Sequence, residues 1–348
     1  MEWLDYAKAI GITLVVVAHV IGGLKEELVG PGIREYSAPL FYIYTFHMPL
    51  FFAISGYLFS YFPQRSNGPF VRSTLIGIVI PYVLWSVIYV AVQNAIPGAT
   101  NNVAGVGSLL TIAWSPILHL WFLYVLLFVR TIYYVALRLG GTWAAGAFGV
   151  ACLLLYGLQV QGTIDIGQGP MGGALFGFGM LLARCPEPSL RRLSRIAAPL
   201  TAIVWLSSAV ALDASPASLL AVLTALAGTT MVLSLSLLLP APVSSFARGA
   251  AFIGQASIAI FVAHTLFAAG LRYALYKAGF YNAHLHVGLE TVAGILMPAA
   301  LFLFANVARV APVLGLGQNQ RHLAITGLSL GREPLPERTG PGLPNARP

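Results

Sequence analysis

The chain has 348 residues, 58% of them hydrophobic and 9% charged, with a formal net charge of +8. A mean hydropathy of +0.81 over that length excludes a soluble domain and points to a polytopic membrane protein. The basic residues sit in short loops and a Pro/Gly-rich tail without aromatic interleaving, a distribution that orients membrane proteins and speaks against nucleic-acid binding.

The first apolar run, AIGITLVVVAHVIGG, lacks a small-residue cleavage site and continues into KEELVGPGIREY, so it reads as a retained span rather than a secretory signal. With about 20 apolar residues needed to cross a bilayer, ten segments qualify, centred near Val16, Phe51, Val83, Val125, Val150, Gly177, Trp205, Thr229, Phe261 and Leu301. The expectation is an all-α polytopic integral membrane protein of about ten transmembrane helices. The segments around Val150 and Gly177 are short and Gly-rich, which leaves a re-entrant or strongly tilted course open for them. The run GQGPMGGALFGFGM superficially suggests a dinucleotide fingerprint, but no strand precedes it, and Gly173 and Gly177 read as close helix-packing positions. Cys152, in an apolar run, and Cys185, in a basic loop, offer neither a disulfide framework nor metal-ligand spacing, and no metal site is expected.

Arg65 and Arg72 fall between spans two and three, Arg138 after span four, Arg184, Arg191, Arg192 and Arg195 after span six, and Arg248 before span nine. These loops alternate with neutral or acidic ones, so the positive-inside rule places both termini in the cytoplasm. Lys25, Arg34, Arg272 and Lys277 fall in loops that this topology places outside, the first two offset by Glu26, Glu27 and Glu35. Residues 1–312 form the expected membrane domain, and 313–348, dense in Gly, Pro and Arg, read as a disordered basic cytoplasmic tail. No internal repeat is evident, which weakens an inverted-repeat transporter architecture.

The polar residues inside the spans divide by depth. Lys8 and His19 are separated by ten residues, and eleven steps of about 100° return to within roughly 20° of the starting direction, about 16 Å further along the helix. One stripe of the first span therefore carries a cation near one surface and an imidazole deep in the apolar layer, and such a stripe must face protein or water. On the same topology His47, His119 beside Trp121, and His264 lie toward the outer side, whereas Arg72 and Arg130 lie inward. Imidazole suits proton transfer at neutral pH, and Lys and Arg suit phosphate. Asp5 is placed to pair with Lys8. Duller roles stay open: an interfacial anchor for Lys8, a belt residue for His119, and interhelical hydrogen bonding for His47 and His264.

The segments WLDYAKAIGITLVVVAH, YTFHMPLFFAISGYLF, VRSTLIGIVIPYVLW, HLWFLYVLL and SIAIFVAH together resemble the membrane-bound acyltransferase family 3, with the match closest to its sugar O-acetyltransferase branch, similar to fucose 4-O-acetyltransferases. The resemblance runs in order from span one to span nine. It implies a multi-pass inner (plasma) membrane enzyme that takes an acyl group, acetyl by this resemblance, from cytoplasmic acyl-CoA and delivers it to a glycan hydroxyl at the outer side, with no bound cofactor. The family's basic residue, spacer and histidine fall on Lys8 and His19; Lys8 stands where many members carry Arg, giving up bidentate geometry. The span-three arginine motif falls on Arg72, with Arg65 further off. The Ser-Gly pair of span two falls on Ser55 and Gly56, where packing and substrate contact both stay open.

These residues imply a donor site at Lys8, Arg72 and Arg65 and a catalytic His19, acting either as a base on the acceptor hydroxyl or as the carrier of the acyl group. Asp5, His47, Ser55, His119, Trp121 and His264 are candidates for acceptor contact or support. A carboxylate to orient His19 is not evident, with Glu26, Glu27, Glu35 and Glu290 the candidates. The competing expectation is a transporter or flippase of an acylated lipid or polymer, with a His-lined, proton-coupled vestibule. A third is a noncatalytic membrane scaffold or sensor.

Overall fold

The computed structural model describes residues 1–61, 67–95, 105–160, 167–214, 218–240 and 244–317. In chain order the helices are α1 (Glu2–Gly23), α2 (Glu26–Val29), α3 (Ser37–Tyr44), α4 (His47–Phe59), α5 (Asn67–Thr74), α6 (Ile80–Ala95), α7 (Ser108–Thr111), α8 (Trp121–Val160), α9 (Gly169–Leu182), α10 (Glu187–Ala214), α11 (Ser218–Leu238), α12 (Ser245–Gln255), α13 (Ser257–Lys277) and α14 (Ala283–Val307). Among the described residues, eight helical stretches are long and apolar enough to cross a membrane, against the ten expected. Arg65 and residues 318–348 of the expected tail lie outside the described residues.

The difference in number arises at two places. The stretch Leu118–Leu158 holds the segments centred at Val125 and Val150 in one element of 41 residues. It reverses at Gly141, whose φ of 61° and ψ of −150° suit only glycine. Residues 133 and 148 would stand about 22 Å apart on a straight helix, yet the rings of Tyr133 and Phe148 are 4.9 Å apart. α8 is thus a hairpin of two arms. The other place is α9, which at 14 residues falls short of the length for a full crossing.

Glycines decide how α9 packs. A Cβ on Gly56 of α4 would collide with the Phe176 carbonyl, and one on Gly179 would collide with the Ala53 carbonyl, so the two backbones touch. The other side of α9 faces α8: a Cβ on Gly173 would meet the Cys152 sulfur, one on Gly177 would meet the Tyr133 hydroxyl, and that hydroxyl donates to the Gly173 carbonyl at 2.9 Å.

Helix α1 is the centre of the bundle. It packs against α4, α11, α12, α13 and α14, and 61% of its apolar window is buried, the largest share among the eight stretches. Ala7, Ile12, Val15, Val16 and Ala18 are fully buried. Such enclosure lets α1 carry Lys8 and His19 without presenting them to lipid. α5 and α6 join through a π turn at Leu75–Val79; Pro81, lacking an N–H, cannot bond to the Gly77 carbonyl, and the wider turn absorbs that loss. Between α3 and α4 the helix breaks at Thr45, whose hydroxyl donates to the Tyr42 carbonyl at 2.7 Å and accepts from the Trp205 indole at 3.0 Å.

Candidate functional site

Two helices and one short turn supply the three imidazoles of the site. His19 comes from the last third of α1, His264 from α13, and His119 from the 3₁₀ turn Leu118–Leu120 that opens α8. Leu118 adopts φ 49°, a left-handed backbone that a branched residue holds only under outside constraint. That turn aims His119 between the other two rings. Ring centroids lie 5.0 Å apart for His19 and His264, 5.5 Å for His19 and His119, and 4.8 Å for His119 and His264.

Hydrogen bonding fixes the tautomers. The Nδ1 of His19 donates to the Val15 carbonyl at 2.9 Å, and the Nδ1 of His264 donates to the Ile260 and Phe261 carbonyls, both at 2.9 Å. A carbonyl only accepts, so each Nδ1 carries the proton and each Nε2 keeps its lone pair. The Nε2 atoms of His119 and His264 are buried with no protein partner. The group that orients His19 is therefore its own helix backbone, and not one of the candidate carboxylates.

The rings face a cavity of about 360 Å³, lined further by Tyr89, Gln93, Trp121, Thr265 and Arg272. Tyr89 donates to the Val262 carbonyl at 2.8 Å and pairs with the Thr265 hydroxyl, which fixes one wall. Among the described residues no three His, Cys, Asp or Glu side chains are arranged to hold a metal ion.

Charge patterning puts Arg272 in an outer loop; it lies instead within α13, with its side chain 13% exposed. Its guanidinium donates to the Gly23 carbonyl at 2.7 Å and the Val20 carbonyl at 3.2 Å, capping the end of α1 just beyond His19. Glu290 of α14 holds it from the other side at 2.7 Å, and the fully buried His286 bonds to the same carboxylate at 2.7 Å. Glu290 is thus engaged by Arg272 and His286, not by His19. A Cβ on Gly23 would collide with the guanidinium, so glycine there lets the cation reach the helix end. Arg272, His286, Tyr89 and Gln93 are not among the site residues expected from the sequence. The one signal for part of this cluster is His286 and Glu290, spaced i, i+4 inside an apolar helix.

The expected cations lie at the opposite end. Lys8 pairs with Asp5 at 2.7 Å, and Gln255 also donates to Asp5 at 3.4 Å. Arg72 is exposed on α5, seventeen residues before Tyr89 of the cavity wall, which is about 25 Å at helical rise. Next to it Ser73 accepts a hydrogen bond from Arg130 at 2.6 Å, and the Arg130 guanidinium lies over the Phe59 and Phe70 rings at 5.7 and 5.4 Å. Phe59 belongs to the end of α4 that also carries Tyr57, whose ring packs on Trp3 of α1 at 5.2 Å. Lys8, Arg72 and Arg130 therefore share one end of the bundle. His47 and Ser55 do not line the cavity; His47 is buried, with Nδ1 donating to the Ile43 carbonyl at 2.8 Å.

A family model described as an acyltransferase domain matches residues 1–309. The chain is also similar to two curated proteins, each called Nodulation protein NolL. The one from Mesorhizobium japonicum is 35% identical over 95 residues, 26% of this chain and 24% of that protein. The one from Sinorhizobium fredii is 31% identical over 158 residues, 43% of this chain and 41% of that protein. The chain thus spans from a quarter to two fifths of their length. No solved structure matches it.

Proposed function

This chain belongs to the acyltransferase family whose domain model it matches over residues 1–309, and from that premise we propose that it transfers an acetyl group from acyl-CoA to a glycan hydroxyl across the membrane. Lys8, Arg72 and Arg65 receive the phosphates of the donor at the cytoplasmic side, and the pantetheine arm runs along α1 toward His19. The acceptor enters the histidine cavity from the outer side of the plasma membrane. We place the membrane domain at 1–312; just beyond it Leu316 is fully buried in the core and the Leu314 carbonyl accepts from the Trp85 indole at 3.0 Å, so 313–317 pack with the bundle.

The observation that carries this reading is the pair of ends on one bundle. Cations suited to a polyanionic donor lie at one end, and three imidazoles, His19 and His264 among them with Nε2 lone pairs set by backbone bonds at Nδ1, line a cavity at the other. In the direct route, His19 Nε2 takes the proton from the acceptor hydroxyl as that oxygen attacks the thioester carbonyl. The C–S bond then breaks, an ester C–O bond stands in its place, and the CoA thiolate leaves to be protonated. In the two-step route Nε2 attacks the thioester carbonyl and the C–S bond breaks to release the CoA thiolate; the acceptor oxygen then attacks the acyl-imidazole, the N–C bond breaks to free Nε2, and the hydroxyl proton passes to a neighbouring base. His119 and His264 stand where they hold or pass the proton.

The test is turnover of labelled acetyl-CoA by purified protein in detergent, without any gradient. His19→Ala is expected to lower the rate by about 10²- to 10⁴-fold, the range for loss of a positioned acid–base group. A folded His19→Ala protein with full turnover would remove the catalytic role. Wild-type protein that leaves the thioester intact and acts only in sealed vesicles would establish the transport reading instead.

A further inference from the structure

A second cavity, of about 560 Å³, lies beside the histidine cavity and shares Trp121 with it as a wall. One side is the stripe Trp121, Val125, Phe128 and Ile132 on the first arm of α8, spaced four, three and four residues apart on a single helix face. Across from it stand Phe148 and Leu155 of the returning arm, with the start of α9 closing the end near Trp121. From Trp121 to Ile132 the stripe runs about 16 Å, half of a hydrocarbon layer roughly 30 Å thick. The groove is thus one leaflet deep, and its Trp121 end borders the histidine cavity.

Its other border is lipid. Phe128, Ile132 and Leu155 are 48%, 43% and 38% exposed on a helical stretch long and apolar enough to cross a membrane. An occupant can therefore slide in sideways from the bilayer. A CoA thioester, with its polyanionic head, has no such route, because charge in hydrocarbon is costly. The apolar lining suits a chain, and the neighbouring cavity with Gln93, Thr265 and three imidazoles suits hydroxyls.

We propose that the groove formed by Trp121, Val125, Phe128, Ile132, Phe148 and Leu155 holds the hydrocarbon chain of a lipid-anchored acceptor, whose polyhydroxylated head then lies in the histidine cavity. This rests on the acyltransferase reading and narrows the acceptor to a lipid-linked glycan of the leaflet on the histidine side. Trp121 is the hinge between the two halves of the substrate: its ring borders both head and chain.

The experiment uses full-length protein in nanodiscs with one of two mid-chain diazirine lipids, a monoglucosyl diacylglycerol or a phosphatidylcholine of equal chain length, and maps the photoproducts by mass spectrometry. The glucosyl lipid is expected to label 121–132 and 148–155 at least fivefold more than the choline lipid. Val125→Trp, which fills the groove, should lower that labelling at least fivefold, and Leu155→Phe on the facing wall should act the same way if Val125→Trp does not fold. Labelling should persist in His19→Ala, since binding needs no chemistry; loss of turnover there with labelling intact leaves the groove assignment standing on its own. Equal labelling by both lipids would show a groove filled by bulk lipid and overturn the proposal. So would displacement of the label by hexadecanoyl-CoA, which would assign the groove to a donor chain, or labelling unchanged in both groove variants.

Discussion

A histidine on a helix can choose its tautomer with no help from a second element, by donating Nδ1 to the carbonyl one turn back. His19, His47 and His264 all do so. What separates them is where Nε2 then points, and only His19 and His264 line the cavity. His19 and its facing toward protein are legible in the sequence, because an imidazole deep in an apolar run has few other places to go. The capping of α1 by Arg272 is not, since the cation and its partner Glu290 are eighteen residues apart on different helices, and nothing in either apolar stretch announces the pairing. Removing one member of a buried pair leaves the other charge uncompensated, at a cost of about 3–5 kcal/mol. Glu290→Ala should therefore lower the thermal midpoint in detergent markedly, and Arg272→Lys, with no planar fork for two α1 carbonyls and a carboxylate, should recover only part of the loss seen in Arg272→Ala. A midpoint unchanged in Glu290→Ala would show that the end of α1 is held by something else.

At the level of elements, hydropathy places every apolar segment on a helix but misjudges how two of them are made. A sliding count of apolar residues registers length and not direction, so the reversal at Gly141 within Trp121–Val160 leaves no trace except glycines at 140 and 141. The packing role of Gly173 and Gly177 is readable from small-residue spacing, whereas the contact of Gly56 and Gly179 depends on which helix lies opposite. Gly141→Ala places a side chain at φ 61° and ψ −150°, a conformation that costs a residue with a Cβ about 1–3 kcal/mol. Loss of the hairpin would also open the groove, so this variant is expected to unfold earlier and to lose labelling by the glucosyl lipid; a stable, normally labelled Gly141→Ala protein would contradict the hairpin. Gly179→Val, forced against the Ala53 carbonyl, should destabilise by about 1–3 kcal/mol or more, as overpacking does, with thermal unfolding as the readout.

Across the whole molecule, the proposed function separates binding of a polyanion from proton transfer by the length of α1, a division already written in the spacing of Lys8 and His19 along the chain. That His119 and His264 lie toward the same side as His19 is readable from the spans, whereas their lateral gathering around it is not, since it depends on the turn at Leu118 and on α13 lying against α1. The direct measurement is donor binding and acetyl transfer taken side by side on Lys8→Ala and His19→Ala. Loss of a charge-assisted contact of about 1.5–3 kcal/mol corresponds to roughly ten- to hundredfold in affinity, so Lys8→Ala should weaken CoA binding by that much. His19→Ala should bind CoA as the wild type does and lose turnover. If His19→Ala bound CoA normally and still transferred acetyl at the wild-type rate, or if Lys8→Ala left CoA affinity unchanged, the two ends of α1 would not have the roles assigned to them.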